Sequence, residues 1–273
     1  MMAFKPSYVI SQPIQCDLKR IEIAKEKILQ LLPLIKRLDN LREPVQFVSS
    51  LPGAHSTTTI STHTRGHLEG ADALQNHNVN TYSKALKQIE AWVVKASPLD
   101  EKMIQTLHHV MMGNDPTTKP TPYRANQNYL KNNKTFEIVR TPPKADDVPK
   151  LMSGLVHWIN SAQQLSPPLV AGIALFQLSL IHPFNDGNGR TGRLLATFIL
   201  HSRGYGLQGL YNLEKAYCRD LRTLFTAKTS TAPLSENLTD FTLGLACFLD
   251  GLALNFETTF ASVAHVCPKM EVA

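Results

Sequence analysis

The chain has 273 residues, 43% hydrophobic and 18% charged, with a formal net charge of +6. That length buries a sizeable core in one large or two small domains, and no stretch is long or apolar enough to span a bilayer. Basic residues are scattered rather than run together, which reads as a mildly basic solvated surface and argues against a nucleic-acid face. The first residues, Met1-Met-Ala-Phe-Lys-Pro6, lack the apolar core and small-residue cleavage site of a secretory signal. Cys16, Cys218, Cys247 and Cys267 are widely spaced and form no C-x-x-C pair. Reduced thiols in a cytoplasmic protein are the expectation, without zinc and without membrane attachment.

Residues 1–16 read as an extended arm, since Pro6 and Pro13 oppose helix. Asp17 is then placed as the cap of a helix to about Asp39, with Leu18, Ile21, Ala24, Ile28, Leu31, Leu32 and Ile35 at helical spacing. Residues 44–65, rich in Pro, Ser and Thr, read as a loop, and a helical region follows from about Gly66 to Val94. Ser97-Pro98 is predicted to open the next helix as cap and first turn. Residues 114–143 are the strand region: Gln127–Leu130 and Thr135–Val139 flank Lys131-Asn-Asn-Lys134 as a hairpin, closed by Pro142-Pro143.

From Ala145 onward the pattern is helical again: Val148 to Ala162, Leu169 to Ile181, Gly189 to Arg203, Leu213 to Ala227 and Leu238 to Leu254. The expected fold class is mainly α, a helical bundle with one small hairpin. Residues 1–96 are read as an N-terminal region, 97–255 as the core domain and 256–273 as a C-terminal tail.

The stretch His182-Pro-Phe-Asn-Asp-Gly-Asn-Gly-Arg-Thr-Gly-Arg193 concentrates the chemistry. Pro183 ends the preceding helix. Gly187 and Gly189 permit positive φ and let an anion approach backbone N–H groups, and the next helix points its positive end at the same spot. Arg190 and Arg193 lie three apart on that helix and supply forked donors for a polyphosphate. Asp186 is a hard oxygen ligand suited to Mg2+. His182 is the residue of this stretch that takes a proton near neutral pH, as the general base for a hydroxyl must. Asn-Asp-Gly-Asn-Gly alone is ordinary turn chemistry; the histidine, Pro-Phe and paired arginines in fixed register are what a simple turn does not explain. No Gly-Lys-Ser/Thr follows, so this is not a Walker loop. Phe184 reads as a core anchor that orients it.

These residues match every defined position of H-P-F-x-[D/E]-G-N-G-R-x-x-R, and on them the chain resembles the Fic (filamentation induced by cAMP) family. Ile104 to Gly113 is similar to that family's I-x-x-L-H-x-x-L-M-x-G helix. Pro122-Tyr-Arg124 is similar to its G-x-Y-R segment, with proline for the usual glycine, and Pro142 to Met152 to its P-P-x-x-x-x-V-P-x-L-M stretch. The resemblance covers roughly residues 60–255. It implies a protein adenylyltransferase that moves AMP from ATP to a Ser, Thr or Tyr hydroxyl of a target protein, the chain itself among the targets. His182 would deprotonate that hydroxyl, and Asp186 would hold Mg2+ on the α- and β-phosphates. Gly187, Asn188, Gly189 and Arg190 would cradle the phosphates, and Arg193 would meet the γ-phosphate. The hairpin at about 127–139 would be the flap that aligns the target backbone.

Many relatives of this kind carry an inhibitory helix, [S/T]-x-x-x-E-[G/N], whose Glu pairs with the second arginine of the loop. Glu69-Gly70 stands upstream, in a helix at about 61–75, with Arg65 where the hydroxyl residue is usual and Ser61, Thr62 and Thr64 close by. The resemblance thus implies autoinhibition by Glu69 against Arg193. Tyr217 opens a segment similar to a Tyr-Tyr helix that borders the adenine, with Cys218 in second place; a core tyrosine is the other reading. His108, His109, His157, Trp92 and Trp158 read as packing or surface residues. Many relatives form homodimers, but no patch here marks an interface. The competing functions are removal of AMP, transfer of another nucleotide or of phosphocholine at the same site, and an ATP-binding regulatory module with little turnover.

Overall fold

The computed structural model describes residues 4–39, 71–131, 136, 138–211, 213 and 240–266. Helices dominate: α1 (Gln12–Asp39), α2 (Ala71–Val94), α3 (Glu101–Met111), α4 (Val148–Ser161), α5 (Pro167–Ile181), α6 (Asn188–Leu200) and α7 (Thr242–Val266). Two short strands, β1 (Leu130–Lys131) and β2 (Ile138–Arg140), pair antiparallel as the flap, Leu130 opposite Arg140. The described residues are therefore mainly α with one hairpin, as the sequence pattern predicts. Among the described residues no helix is long and apolar enough to cross a membrane.

At the centre lies α5. Its sequence, Pro-Pro-Leu-Val-Ala-Gly-Ile-Ala-Leu-Phe-Gln-Leu-Ser-Leu-Ile, is apolar on every side, as a helix surrounded by others must be, and Val170, Ala171, Ile173, Ala174 and Leu178 have no exposed surface. It packs on α4, α6 and α7. A Cβ on Gly172 would lie 2.8 Å from the ring of Phe248 and 2.9 Å from Leu245, so the absent side chain is what lets α7 close on α5.

On α1, Ile14, Ile21, Ala24 and Ile28 form a buried stripe at helical spacing, and this stripe packs on α7. Arg20 bolts the pair together: Nε and Nη2 take both carboxylate oxygens of Glu257 at 2.8 Å, while Nη1 donates to Asp17 at 2.8 Å and Asp250 at 2.9 Å. The arm before α1 is tied down as well, with Phe241 N–H donating to Ser7 and Val9 N–H to the Thr242 hydroxyl.

Several boundaries differ from expectation. Helix α1 begins at Gln12, with Pro13 inside its first turn, where a missing N–H costs nothing, so Asp17 lies within the helix and pairs with Arg20 instead of capping. For α3 the cap is Asp100, whose carboxylate accepts from Met103 N–H at 2.7 Å, rather than Ser97. The strands of the flap are shorter and later than predicted. Helix α6 stops at Leu200 and passes into a π-turn (His201–Tyr205), from which Arg203 caps α4 through the carbonyls of Ile159 and Ala162. Residues 256–266, expected in a tail, continue α7 against α1. The predicted helix Leu213 to Ala227 lies almost wholly outside the described residues.

Candidate active site

Helix α5 leads directly into the site. Its N–H ladder ends with His182 N–H donating to Leu178 at 2.9 Å; Pro183 cannot extend it, and His182 turns into the left-handed region at φ 52° and ψ 59°. The chain then descends, and Phe184 is 1% exposed beneath the loop. Its ring stacks on His108 of α3 with centroids 3.8 Å apart and lies 5.6 Å from Tyr123. Burying a phenyl ring is worth roughly 1.5–3 kcal/mol, comparable to the cost of fixing one or two residues of loop backbone. Phe184 is the anchor that the sequence predicts.

The loop closes on itself through Asn188. Its Oδ1 accepts from Phe184 N–H at 2.9 Å and its Nδ2 donates to Phe184 carbonyl at 2.8 Å. The same Nδ2 lies 3.2 Å from Nδ1 and 3.3 Å from Nε2 of His182, so this amide also fixes the ring of the candidate base. The Asn188 side chain is therefore turned inward; what the residue offers a phosphate is its backbone N–H at the start of α6. Gly187 caps that start at φ 73°. A Cβ there would stand 3.1 Å from Met112 Sδ and 3.3 Å from His108 Nε2, so both conformation and space demand glycine.

Around the N-terminus of α6 the predicted charges gather. The Asp186 carboxylate is exposed, accepts from Gly187 N–H at 2.6 Å and lies 3.6 Å from Arg190 Nη2. Arg190 also rests on the Met112 sulfur at 3.7 Å. Arg193 is 6% exposed, and its Nη1 lies 3.5 Å from the position a Cβ on Gly189 would occupy, over the first turn of the helix. A helix N-terminus with glycine on its approach and two arginines on its first turns is a strong anion site. Among the described residues no three or more His, Cys, Asp or Glu side chains converge. A metal here would take one carboxylate from Asp186 and its other oxygens from phosphate and water, which suits Mg2+.

Residues outside the loop take part without having been predicted to. Arg124, just before the flap, donates from Nε to the His182 carbonyl at 2.9 Å, and Asn128 Nδ2 donates to the Phe184 carbonyl at 3.2 Å. His108 donates from Nε2 to the Asp186 carbonyl at 2.9 Å, and burial is the main cause that pulls its pKa below the ordinary histidine value. One signal for His108 is in the sequence: Ile104, Leu107, His108 and Met111 share a helical face, so this histidine sits in an apolar stripe. Glu69 and Tyr217 lie outside the described residues.

The Fic/DOC family profile matches residues 98–200. The protein adenylyltransferase Fic of Drosophila virilis is 32% identical over 161 residues, which are 56% of this chain and 32% of that protein. The chain thus spans about a third of the length of the curated relatives it matches. Among solved structures, a Fic family protein from Desulfovibrio desulfuricans G20 superposes with a TM-score of 0.59 at 20% identity, covering 93% of this chain and 75% of that one. A Fic domain containing signaling protein from Bacteroides thetaiotaomicron gives 0.58 at 19% identity, over 89% and 95%. The fold is the one those two proteins share, and the stretch 98–200, which holds α3, the flap and the whole His182–Arg193 loop, is a domain of the Fic/DOC family.

Proposed function

We propose that this protein is an adenylyltransferase that moves AMP from ATP to a hydroxyl of a target protein and is restrained by Glu69 acting on Arg193. The observation that carries the reading is the placing of His182: its ring, held by the Asn188 amide, stands beside an anion cradle that opens α6. The Drosophila relatives, which are named protein adenylyltransferases, support it.

The chain's own residues divide the work as follows. His182 takes the proton of the attacking Ser, Thr or Tyr hydroxyl. That oxygen bonds to the α-phosphorus, the bond between α-phosphorus and the bridging oxygen breaks, and pyrophosphate leaves. Backbone N–H groups of 187–190 and the guanidinium of Arg190 hold the phosphates in line, since such transfer depends on positioning and charge more than on covalent chemistry. Mg2+, when bound at Asp186, neutralises charge on the phosphate oxygens and the leaving group. Tyr129, Phe136 and Ile138 are exposed on the flap, which supports docking of an extended target segment there.

The inhibitory part of the reading rests on the sequence Glu69-Gly70 directly before α2, a helix that packs against α6, the bearer of Arg193. A carboxylate on Arg193 would withdraw the cation meant for the γ-phosphate and displace ATP from its productive position. The test is incubation with ATP labelled at the α-phosphate, beside CTP, GTP and UTP, for wild type, Glu69→Gly and His182→Ala. Label should enter the chain from ATP, rise in Glu69→Gly and vanish in His182→Ala. Transfer by His182→Ala at the wild-type rate would overturn the reaction, and an unaltered rate in Glu69→Gly would overturn the brake.

A further inference from the structure

We infer that Arg124 is a positioning residue that couples the flap to the base, by holding the backbone from which His182 presents its imidazole. The inference rests on the reading of His182 as the base of the transfer. The Arg124 guanidinium is buried, at 4% exposure, and among the described residues its three hydrogen bonds all go to carbonyls. Nε donates to His182 at 2.9 Å, Nη1 to Asn126 at 3.0 Å, and Nη2 to Pro143. Its backbone N–H donates to Pro183 at 2.9 Å. Asn126 and Pro143 are the two roots of the flap, and Gln127 closes them by donating to Pro142 at 2.9 Å. One planar cation thus fixes the spacing between both flap roots and the base.

The chemistry explains why arginine stands there. A guanidinium sends donors outward in one plane at fixed angles, whereas a lysine ammonium would satisfy these carbonyls one at a time. His182 needs the help, because a residue with a Cβ at positive φ persists only where its surroundings over-determine it. The bond from His182 N–H to Leu178 holds one side of that residue, and Arg124 holds the other.

The flap grips the loop along its whole descent. Arg140 Nη2 donates to the Leu180 carbonyl at 2.9 Å, and Asn128 donates to that of Phe184. Carbonyls at 180, 182, 183 and 184 therefore each take a donor from residues 124–140. A target segment aligned on the flap is in fixed register with the imidazole, and Arg124 is the central tie.

The test uses the full chain with Arg124→Lys and Arg124→Gln, each in wild type and in the Glu69→Gly background. Four quantities are read: thermal midpoint, ATP affinity by titration, initial rate of label incorporation into the chain at saturating ATP, and the NMR resonance of the His182 ring carbon-bound proton. Expected are folded variants with unchanged ATP affinity, a shifted His182 resonance and incorporation slowed ~100-fold, the order of loss that a misplacement of about 1 Å produces. An unshifted His182 resonance in the folded variants would overturn the coupling. Parallel loss of ATP affinity and incorporation, or failure of both variants to fold, would make Arg124 a support of the fold alone and overturn it equally. A Glu69→Gly chain with Arg124 intact that binds ATP and transfers nothing would instead defeat the proposed reaction, leaving the ring resonance as the test of Arg124.

Discussion

His108 donates from Nε2 to the backbone oxygen of Asp186 across 2.9 Å, so a buried histidine on α3 supports the residue proposed to meet the metal. That bond fixes the tautomer: Nε2 carries the hydrogen, and Nδ1 is left buried without a hydrogen-bond partner among the described residues. A second proton would put an N–H where nothing accepts it, near Arg190 and His109, which adds to the effect of burial.

A pH dependence follows from His108. Its folded pKa lies below the ordinary 6.5, so as pH falls the unfolded chain binds the proton first. Its contribution to stability is complete above that value and is lost progressively below it. In His108→Asn the thermal midpoint should fall less steeply between neutral and mildly acidic pH than in wild type. Loss of an outer support also weakens a metal site, so the variant should need more Mg2+ and transfer about 10–100-fold more slowly at limiting metal. Melting curves across pH and a magnesium titration check the two halves. Identical pH slopes would count against the histidine's role.

Gly187→Ala tests the turn. Forcing a Cβ into the left-handed region costs about 1–2 kcal/mol, and here it also meets Met112 and His108. Denaturant unfolding should register a loss of at least that size. Weaker ATP binding should accompany it, because the N–H groups of α6 would be re-aimed.

Asp186→Asn should behave oppositely. The Asp186–Arg190 pair is exposed on the carboxylate side, and exposed pairs add little to stability. The thermal midpoint should therefore hold, while magnesium-dependent enhancement of ATP binding disappears. A titration of ATP with and without Mg2+ decides it; an unaltered magnesium effect would remove Asp186 from the metal site.

Arg20→Met probes the clasp of α1 on α7. It strips a bidentate partner from Glu257 and leaves Asp17 and Asp250 facing the same gap. A loss of about 1 kcal/mol is expected, reduced in high salt. Arg20 holds the Glu257 carboxyl below its usual pKa through their hydrogen bond, so this part of the stability is present above the ordinary carboxylate range and is lost as pH falls through the lowered value. Unfolding curves at low and high salt, and across acidic pH, measure it.

The loop was legible because its chemistry is contiguous: base, anion cradle, carboxylate and arginines lie within one stretch, and α6 brings them together as helical spacing dictates. The roles of His108 and Arg124 were not, because both act on backbone carbonyls, and a carbonyl leaves no mark in the sequence. Asn188 shows the same limit, since its side chain serves Phe184 and His182 rather than solvent. In the fold, Pro13 opposes helix by residue type yet is allowed in the first turn where it sits, and α7 outruns its predicted end because the surface that stabilises it is α1, some two hundred residues away in sequence. Local pattern reports what a helix can do; which helix covers it is a long-range fact.

The grip of residues 124–140 on the descent from Leu180 to Phe184 bears on how such a centre could be moved between scaffolds. Grafting the twelve-residue loop between two helices of another protein would carry the charges but not the left-handed turn of the histidine. The portable unit is α3, flap, α5 and α6 together, with Phe184 seated between His108 and Tyr123 as its keystone.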